Sequence, residues 1–288
     1  MRQLAFGEIV RRPPQKQFLK WIGNKQRFAE EIAGYAPDEC GKFIEPFIGS
    51  GAVLATMAPT LGLASDNLKP LVEMWRLLQA DPGALLKHYA KLWHEYQDDS
   101  NDTYYRALAS YNENPNPYDL LFLCRSCYGG VVRFRKDDGG MSTPIGIHRP
   151  ISPESLDERM REWRARIRNT KFMHCNFDET MAQAGDGDVV YCDPPYVFSQ
   201  QILYGSQDFS LPKLWAAISR AKKAGAKVML SIDGKKKSGK VELDLGTPDD
   251  LFEREIMIGV GRSMLRRFQR KGETLEDEEV HDRLLLTW

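Results

Sequence analysis

The sequence predicts an α/β fold in which a sheet is assembled from both ends of the chain and a mostly helical insert separates the halves. Three observations predict it. A strand, a glycine loop, a helix and a second strand ending in an acid follow one another over residues 42–66. Residues 70–111 then carry apolar side chains at helical spacing with no alternating strands, and strand and helix patterns resume after residue 170. With 288 residues, 42% of them hydrophobic and 28% charged, the chain suits one large α/β domain or a core domain with a smaller insert. Disorder and a mini-protein are excluded.

Residues 1–17 are polar and end near Arg11-Arg12-Pro13-Pro14, which reads as an extended arm rather than packed structure. Over residues 26–35, Phe28, Ile32 and Tyr35 recur at helical spacing, and Gly34, Pro37 and Gly41 end that helix. Residues 42–46 read as a short buried strand, Gly49-Ser50-Gly51 as a tight loop, Ala52 onward as a helix, and residues 61–66 as a second strand. Leu71, Met74, Trp75 and Leu78, then Leu85, Tyr89, Leu92 and Tyr96, mark two helical stretches broken at Asp81-Pro82-Gly83. After a further apolar run at 118–124, residues 128–149 hold paired glycines and basic residues, as expected of a loop or β-hairpin with exposed basic side chains. Ser152-Pro153-Glu154-Ser155 resembles a helix start, and that helix runs to residue 168. Residues 171–175, 188–192, 226–232 and 284–287 are strand candidates, and 212–223 is a helix with Leu214, Trp215, Ile218 and Ala221 on one face.

Lys plus Arg and Asp plus Glu number 40 each, so a polyanion would be bound through locally segregated charge and not through net charge. Five scattered cysteines do not form a secreted disulfide framework and read as reduced and cytosolic. No apolar stretch approaches bilayer length, and the first residues lack a signal-like core, so the expectation is a soluble, untargeted protein without a membrane partner. Cys124 and Cys127 have neither a second pair nor a nearby histidine to complete a zinc site. Two buried thiols at a helix end, with no metal, are expected.

Two constellations carry chemistry. The first is Glu45-Pro46-Phe47-Ile48-Gly49-Ser50-Gly51 with Asp66 downstream: glycines admit a ligand close to the backbone, and an acid at a strand end can accept from ribose hydroxyls. The loop lacks Gly-x-Gly-x-x-Gly, which favours a smaller adenosine ligand over a dinucleotide, and a purely structural turn explains the glycines equally well. The second is Val189-Val190-Tyr191-Cys192-Asp193-Pro194-Pro195-Tyr196, where two prolines stop a buried strand so that the Asp193 carboxylate and the Pro194 carbonyl project together at its carboxyl end. Two adjacent acceptors suit an exocyclic amino group, and Tyr196 can stack on its ring.

With Phe18-Leu19-Lys20-Trp21-Ile22-Gly23-Asn24-Lys25 and Ser65-Asp66-Asn67, these motifs resemble, in order and over nearly the whole chain, the Dam-type (D12 class, alpha group) S-adenosylmethionine-dependent DNA adenine-N6 methyltransferases. The resemblance implies that Trp21, Lys25, Asp66 and Asp193 contact S-adenosylmethionine, with Glu45, Pro46, Phe47, Gly49, Ser50 and Gly51 in the loop beneath it, and that Lys20 touches DNA. It places Arg133 at the guanine-reading position of a recognition hairpin running from Leu121 to Gly146, with Arg135 and Lys136 as neighbouring DNA contacts. Where Dam members carry Arg-Tyr-Gly-Tyr-Asn-Gly, this chain has Cys127-Tyr128-Gly129-Gly130, so the recognition sequence stays open, with GATC a first guess. Lys235, Lys236 and Lys237 follow a strand at the edge that carries Asp193, which favours phosphate contact over a bland turn. Arg262, Arg266, Arg267, Arg270 and Lys271 fit a phosphate patch or a mixed solvated loop equally.

The expected protein is therefore a Rossmann-like methyltransferase sheet (1–69 and 166–288) with an inserted, mostly helical DNA-recognition domain (70–165) bearing a β-hairpin. Its expected activity is methyl transfer from S-adenosylmethionine to adenine N6 in duplex DNA, with Asp193, Pro194 and Tyr196 catalytic and the base flipped out of the stack. The alternatives are a cytosine-N4 or RNA adenine methyltransferase and an inactive DNA-binding relative. A cytoplasmic, DNA-associated location of bacterial or phage type is expected, and a separate cognate restriction endonuclease is left open.

Overall fold

Phe43–Glu45 forms the central strand β1, buried on both faces, and Gly62–Asp66 (β2) and Thr170–His174 (β3) add to one side of it in parallel. Val189–Cys192 (β4) and Lys227–Asp233 (β5) add in parallel to the other side. Asp282–Leu286 (β7) lies antiparallel between β5 and Arg254–Ile258 (β6), giving the order β3-β2-β1-β4-β5-β7-β6. This computed structural model describes residues 11–135, 137–195, 209–233, 246–259 and 282–288. Strand order runs outward from β1 to β3 and restarts across β1 at β4. Open α/β sheets hold their ligands at the carboxyl ends of the strands flanking such a reversal.

Period-two alternation divides the core between the two faces of the sheet. Phe43, Val189, Met229 and Leu286 face one cluster, whereas Ile44, Val190, Leu230 and Leu285 face the other, which is closed by Phe177–Met181 (α8) and Leu211–Lys223 (α9). The first cluster continues without a gap from Phe18 and Trp75 to Tyr89, Phe122 and Trp163. Lys69–Ala80 (α3) carries Trp75 into it, where the indole lies 6.0 Å from the Phe172 ring of β3 at 14° and 5.8 Å from Trp163. Trp163 belongs to Pro153–Ile167, numbered α7 because Ala29–Gly34 (α1), Ala52–Met57 (α2), Pro82–Asp98 (α4), Ser100–Glu113 (α5) and Pro117–Ser126 (α6) precede it.

Each break in the helical stretch has a side-chain cap. Asp81 accepts from Ala84 N at 3.1 Å, Asp99 from Asp102 N at 2.9 Å, and Asn116 from Asp119 N at 2.9 Å, so the expected two helices before residue 111 are three. The helix expected over 26–35 is shorter, because Asn24 Oδ1 accepts from Gln26 N at 2.7 Å and holds the chain in turns up to α1. Strand β6 has no counterpart in the sequence reading: it is an edge strand whose only buried side chain is Ile258, so it lacks apolar alternation. The arm is packed over its described part. The Arg11 guanidinium donates to the Ala33 and Ala36 carbonyls at 2.7 and 2.6 Å, at and just beyond the last turn of α1, and Trp163 Nε1 donates to Lys16 O at 2.8 Å.

Asp119 ties α4, α5 and α6 together. It is 4% exposed and meets His88 Nε2 at 2.8 Å, Ser110 Oγ at 2.7 Å and Asn116 Nδ2 at 2.9 Å. Burial raises its pKa, but the bonds from His88, Asn116 and Ser110 outweigh that, and the carboxyl sits below its usual value. A depressed folded pKa contributes stability that is present above the unfolded value, about 3.9, and is lost as pH falls toward the folded one. Asp119→Asn is therefore expected to lower stability at pH 7 by about 1–3 kcal/mol and to lessen the further loss below about pH 4. Urea unfolding at both pH values checks it, and an unchanged acid slope would count against the assignment.

Candidate active site at the switch point

Pro46 stops β1, and the chain turns back at once: Ile48 N donates to Ser65 O at 2.9 Å and Gly51 N to Ile48 O at 2.6 Å. Gly49 (φ 43°) and Gly51 (φ 63°) adopt left-handed conformations, and they also lack room for a side chain. A Cβ on Gly49 would sit 3.1 Å from Trp21 Nε1, and one on Gly51 3.1 Å from the Trp75 ring. The loop is thus wedged between two indoles, one of which, Trp75, donates from Nε1 to Gly49 O at 3.3 Å. Two readings of these glycines stood side by side, and the geometry joins them: the turn is structural and its surface lines a cavity.

Trp21, Lys25, Glu45, Pro46, Phe47, Gly49, Ser50, Asp66, Asp193 and Pro194 line that single cavity, between the ends of β1, β2 and β4. Gly51 does not line it; it lies under the loop against Trp75. Glu45 turns inward to cap α2, its Oε2 accepting from Leu54 N at 2.8 Å. Burial pushes this carboxyl well above its ordinary range, the Asp193 charge adds to the effect, and the Leu54 N–H opposes it. Asp66 accepts from Gly49 N at 3.2 Å and from Leu68 N at 3.1 Å, spanning the loop and the tip of β2. Burial raises its pKa too, against the pull of those N–H groups and of His174. Asp193 leaves β4 directly into the cavity, and Lys25 Nζ donates to its Oδ1 at 2.8 Å.

The opposite wall was not found by sequence reasoning. His174, Cys175, Asn176 and Phe177 follow the end of β3, and Phe209 joins them. Phe47 stacks on Phe177 at 5.1 Å and 27°, while Phe209 meets Phe47 edge-on at 6.0 Å. One local signal was available: Asn176 and Glu179 form a capping box that fixes where β3 ends and α8 begins.

The segment expected to read the target is a hairpin-shaped loop with two isolated antiparallel bridges, Cys127 to Ile145 and Phe134 to Met141, and not a regular ladder. Thr143 Oγ1 stands in for strand pairing, accepting from Arg133 N at 3.0 Å and donating to Val131 O at 2.6 Å. Arg133 is exposed, and its guanidinium has no partner among the described residues. Arg135 is held within its own turn by Asp138, at 2.8 and 2.7 Å. Half-buried Lys20 packs on Gly130, where an added Cβ would come within 2.6 Å of the lysine Cβ. Burial lowers the Lys20 pKa, as does Arg125. Cys124 and Cys127 are free and buried, and burial pushes the Cys127 thiol up to about 12. Tyr196, Lys136, Lys235, Lys236, Lys237 and the arginines at 262–270 with Lys271 lie outside the described residues.

An open, mainly parallel sheet with an acid-lined cavity at its switch point is the architecture of α/β proteins that hold a nucleoside-type ligand at the strand ends. The family model of the D12 class N6 adenine-specific DNA methyltransferases matches residues 21–247, and the chain belongs to that family. It is similar to a DNA adenine methylase of Vibrio cholerae serotype O1, 30% identical over 187 residues, covering 63% of this chain and 65% of the relative. The match thus spans just under two thirds of that relative's length. A DNA adenine methylase of Haemophilus influenzae is 26% identical over 255 residues, 85% of this chain and 83% of the relative. A type II methyltransferase, M.MjaIII, of Methanocaldococcus jannaschii is 27% identical over 244 residues, with 75% and 83% covered. Among the described residues no helix is long and apolar enough to cross a membrane.

Proposed function

We propose that this chain is a site-specific DNA methyltransferase that transfers a methyl group from S-adenosylmethionine to adenine N6 in duplex DNA. Residues 1–69 and 166–288 serve as its catalytic domain and 70–165 as its target-recognition domain. One observation carries the reading: Asp193 and Pro194 share a single cavity with the glycine loop and Asp66. The acceptors for an amino group and the cradle for a nucleoside are thereby brought together.

The cavity suits this methyl donor. Asp66 and Asp193, with the Glu45 carboxyl held toward its neutral form, face one ammonium, Lys25, which favours a ligand bearing positive charge; Phe47, Phe177 and Phe209 offer ring faces. When bound, S-adenosylmethionine supplies a methyl carried on a sulfonium, which leaves as a neutral thioether. Asp66 would accept from the ribose hydroxyls with the lone pairs its two backbone donors leave free. The adenine enters flipped from the duplex. Its N6–H groups are accepted by the Asp193 carboxylate and the Pro194 carbonyl, which draws N6 toward tetrahedral geometry and localises its lone pair for in-line attack. Once N6 had taken the methyl group it would regain neutrality by releasing one proton, which Asp193 is placed to take and pass to water. Family membership favours adenine over cytosine N4 or an RNA base. In a type II system a cognate endonuclease would act separately, and a cytoplasmic location suits a DNA-modifying enzyme.

Methylation mapping of randomised duplexes by single-molecule sequencing tests this reading. The expected product is N6-methyladenine in a fixed motif containing at least one guanine, with GATC the first guess; absence of methylated adenine would overturn it. Arg133 is exposed beside the hairpin bridges, and a bidentate arginine contact to guanine is the commonest specific readout of the major groove. In the same assay Arg133→Ala is expected to cost about 1–3 kcal/mol and to relax one base pair of the motif. An unchanged motif with unchanged stringency would remove the hairpin as the reader.

A further inference from the structure

Lys25 is separated from Asp193 by 168 positions, yet its ammonium meets Asp193 Oδ1 at 2.8 Å and also reaches the Gly23 carbonyl at 3.4 Å. The lysine side chain is 6% exposed and the aspartate's 19%. Burying an ammonium costs several kcal/mol unless a charged, hydrogen-bonded partner meets it. Here the partner is the carboxylate on which the transfer reaction turns.

Among the described residues, charged and titratable groups facing Asp193 include Lys25 ahead of α1, Glu45 at the end of β1, and Tyr191 and Cys192 within β4, the last a buried thiol. Asp66 and His174 line the same cavity from β2 and β3. Glu45 has one oxygen committed to the Leu54 N–H, and burial together with the Asp193 charge favours its neutral form. The Tyr191 hydroxyl pairs with Ser231 Oγ at 2.9 Å, and burial holds it neutral. Neither brings positive charge to Asp193; Lys25 does. Two carboxyl groups whose surroundings push them apart divide the work between a neutral and an ionised form.

We propose that Lys25 acts through Asp193 as a positioning residue, its ammonium holding that carboxylate charged and oriented for the amino group to be methylated. The family resemblance makes Lys25 a contact to the methyl donor; the geometry gives it a second task. The identity of the amino group rests on the proposed function, whereas the ion pair does not.

The test uses Lys25→Met, Lys25→Arg and Asp193→Asn in the full chain, with circular dichroism to confirm folding. In ligand-free protein labelled with ¹³C at the aspartate carboxyls, the Asp193 resonance is the one missing from Asp193→Asn. Its titration is expected to move up by at least about one pH unit in Lys25→Met and to stay near wild type in Lys25→Arg, since an opposite charge this close shifts a carboxyl by about 1–3 units. In turnover, Lys25→Met is expected to lose about tenfold or more of kcat at pH 6, with its acid limb moved up in step, a loss in kcat that persists at saturating S-adenosylmethionine whatever the change in its Kd. An unmoved Asp193 titration overturns the proposal. So does a Kd that rises by the factor by which kcat/KM falls while kcat is kept, which makes Lys25 a ligand contact alone. A wild type that methylates no adenine sinks the proposed function, yet the carboxyl titration still decides the role of Lys25.

Discussion

Asp193→Ala is expected to lower methyl transfer by about a thousandfold, roughly 4 kcal/mol of transition-state stabilisation, while the sheet stays folded. The carboxylate sits where β4 opens into the cavity and does not fill the core, so its loss removes an acceptor and a partner of Lys25 but no packing. Asp193→Asn separates these effects. It keeps the shape and one acceptor oxygen but gives up the charge, and it is expected to lose most of the activity too. Turnover, circular dichroism and donor binding measured on one preparation of each variant check this. More than about a tenth of wild-type turnover in a folded Asp193→Ala would remove the residue from the chemistry.

Trp75→Ala is expected to cost about 3–5 kcal/mol of stability, the range for truncating a fully buried large aromatic. Trp75 is 0% exposed and lies among Phe18, Trp163 and Phe172, with centroids at 5.5, 5.8 and 6.0 Å. Its Nε1 also holds the Gly49 carbonyl, so the same residue supports the sheet, helix α7 and the loop that lines the cavity. Trp75→Phe keeps much of the packing and gives up that bond. It is expected to be less destabilising, yet to weaken S-adenosylmethionine binding beyond what its own unfolding explains. Urea unfolding and isothermal titration give the two numbers; a loss below about 1 kcal/mol in Trp75→Ala would mean the site collapses around the cavity.

The parts of the site legible in the sequence are those made by neighbours in the chain. Pro194 and Pro195 stop β4 and leave Asp193 at its tip, Gly49 and Gly51 turn the loop, and Asp66 ends β2, all through backbone rules that act over a few residues. The missed parts are contacts across the fold. Phe177 and Phe209 meet Phe47 only because α8 and the start of α9 pack on the same sheet face. Arg11 lies in a stretch that reads as an extended arm, and the carbonyls it meets, at and beyond the end of α1, are more than twenty residues away. Strand β6 was invisible because an edge strand buries too little for its composition to alternate.

By itself the sequence determined the strands other than β6, the helix break at Asp81, the ordered motifs of the family, and the acid and glycines that shape the cavity. Tertiary structure alone decided that β4 restarts beside β1, that the core of the sheet runs on into helices α3 to α7, and that Lys25 closes on Asp193. The physical reason is range. Periodicity, capping and turn chemistry are written within one or two turns of the chain, whereas apolar burial is non-directional, and its partners are chosen only when distant segments meet.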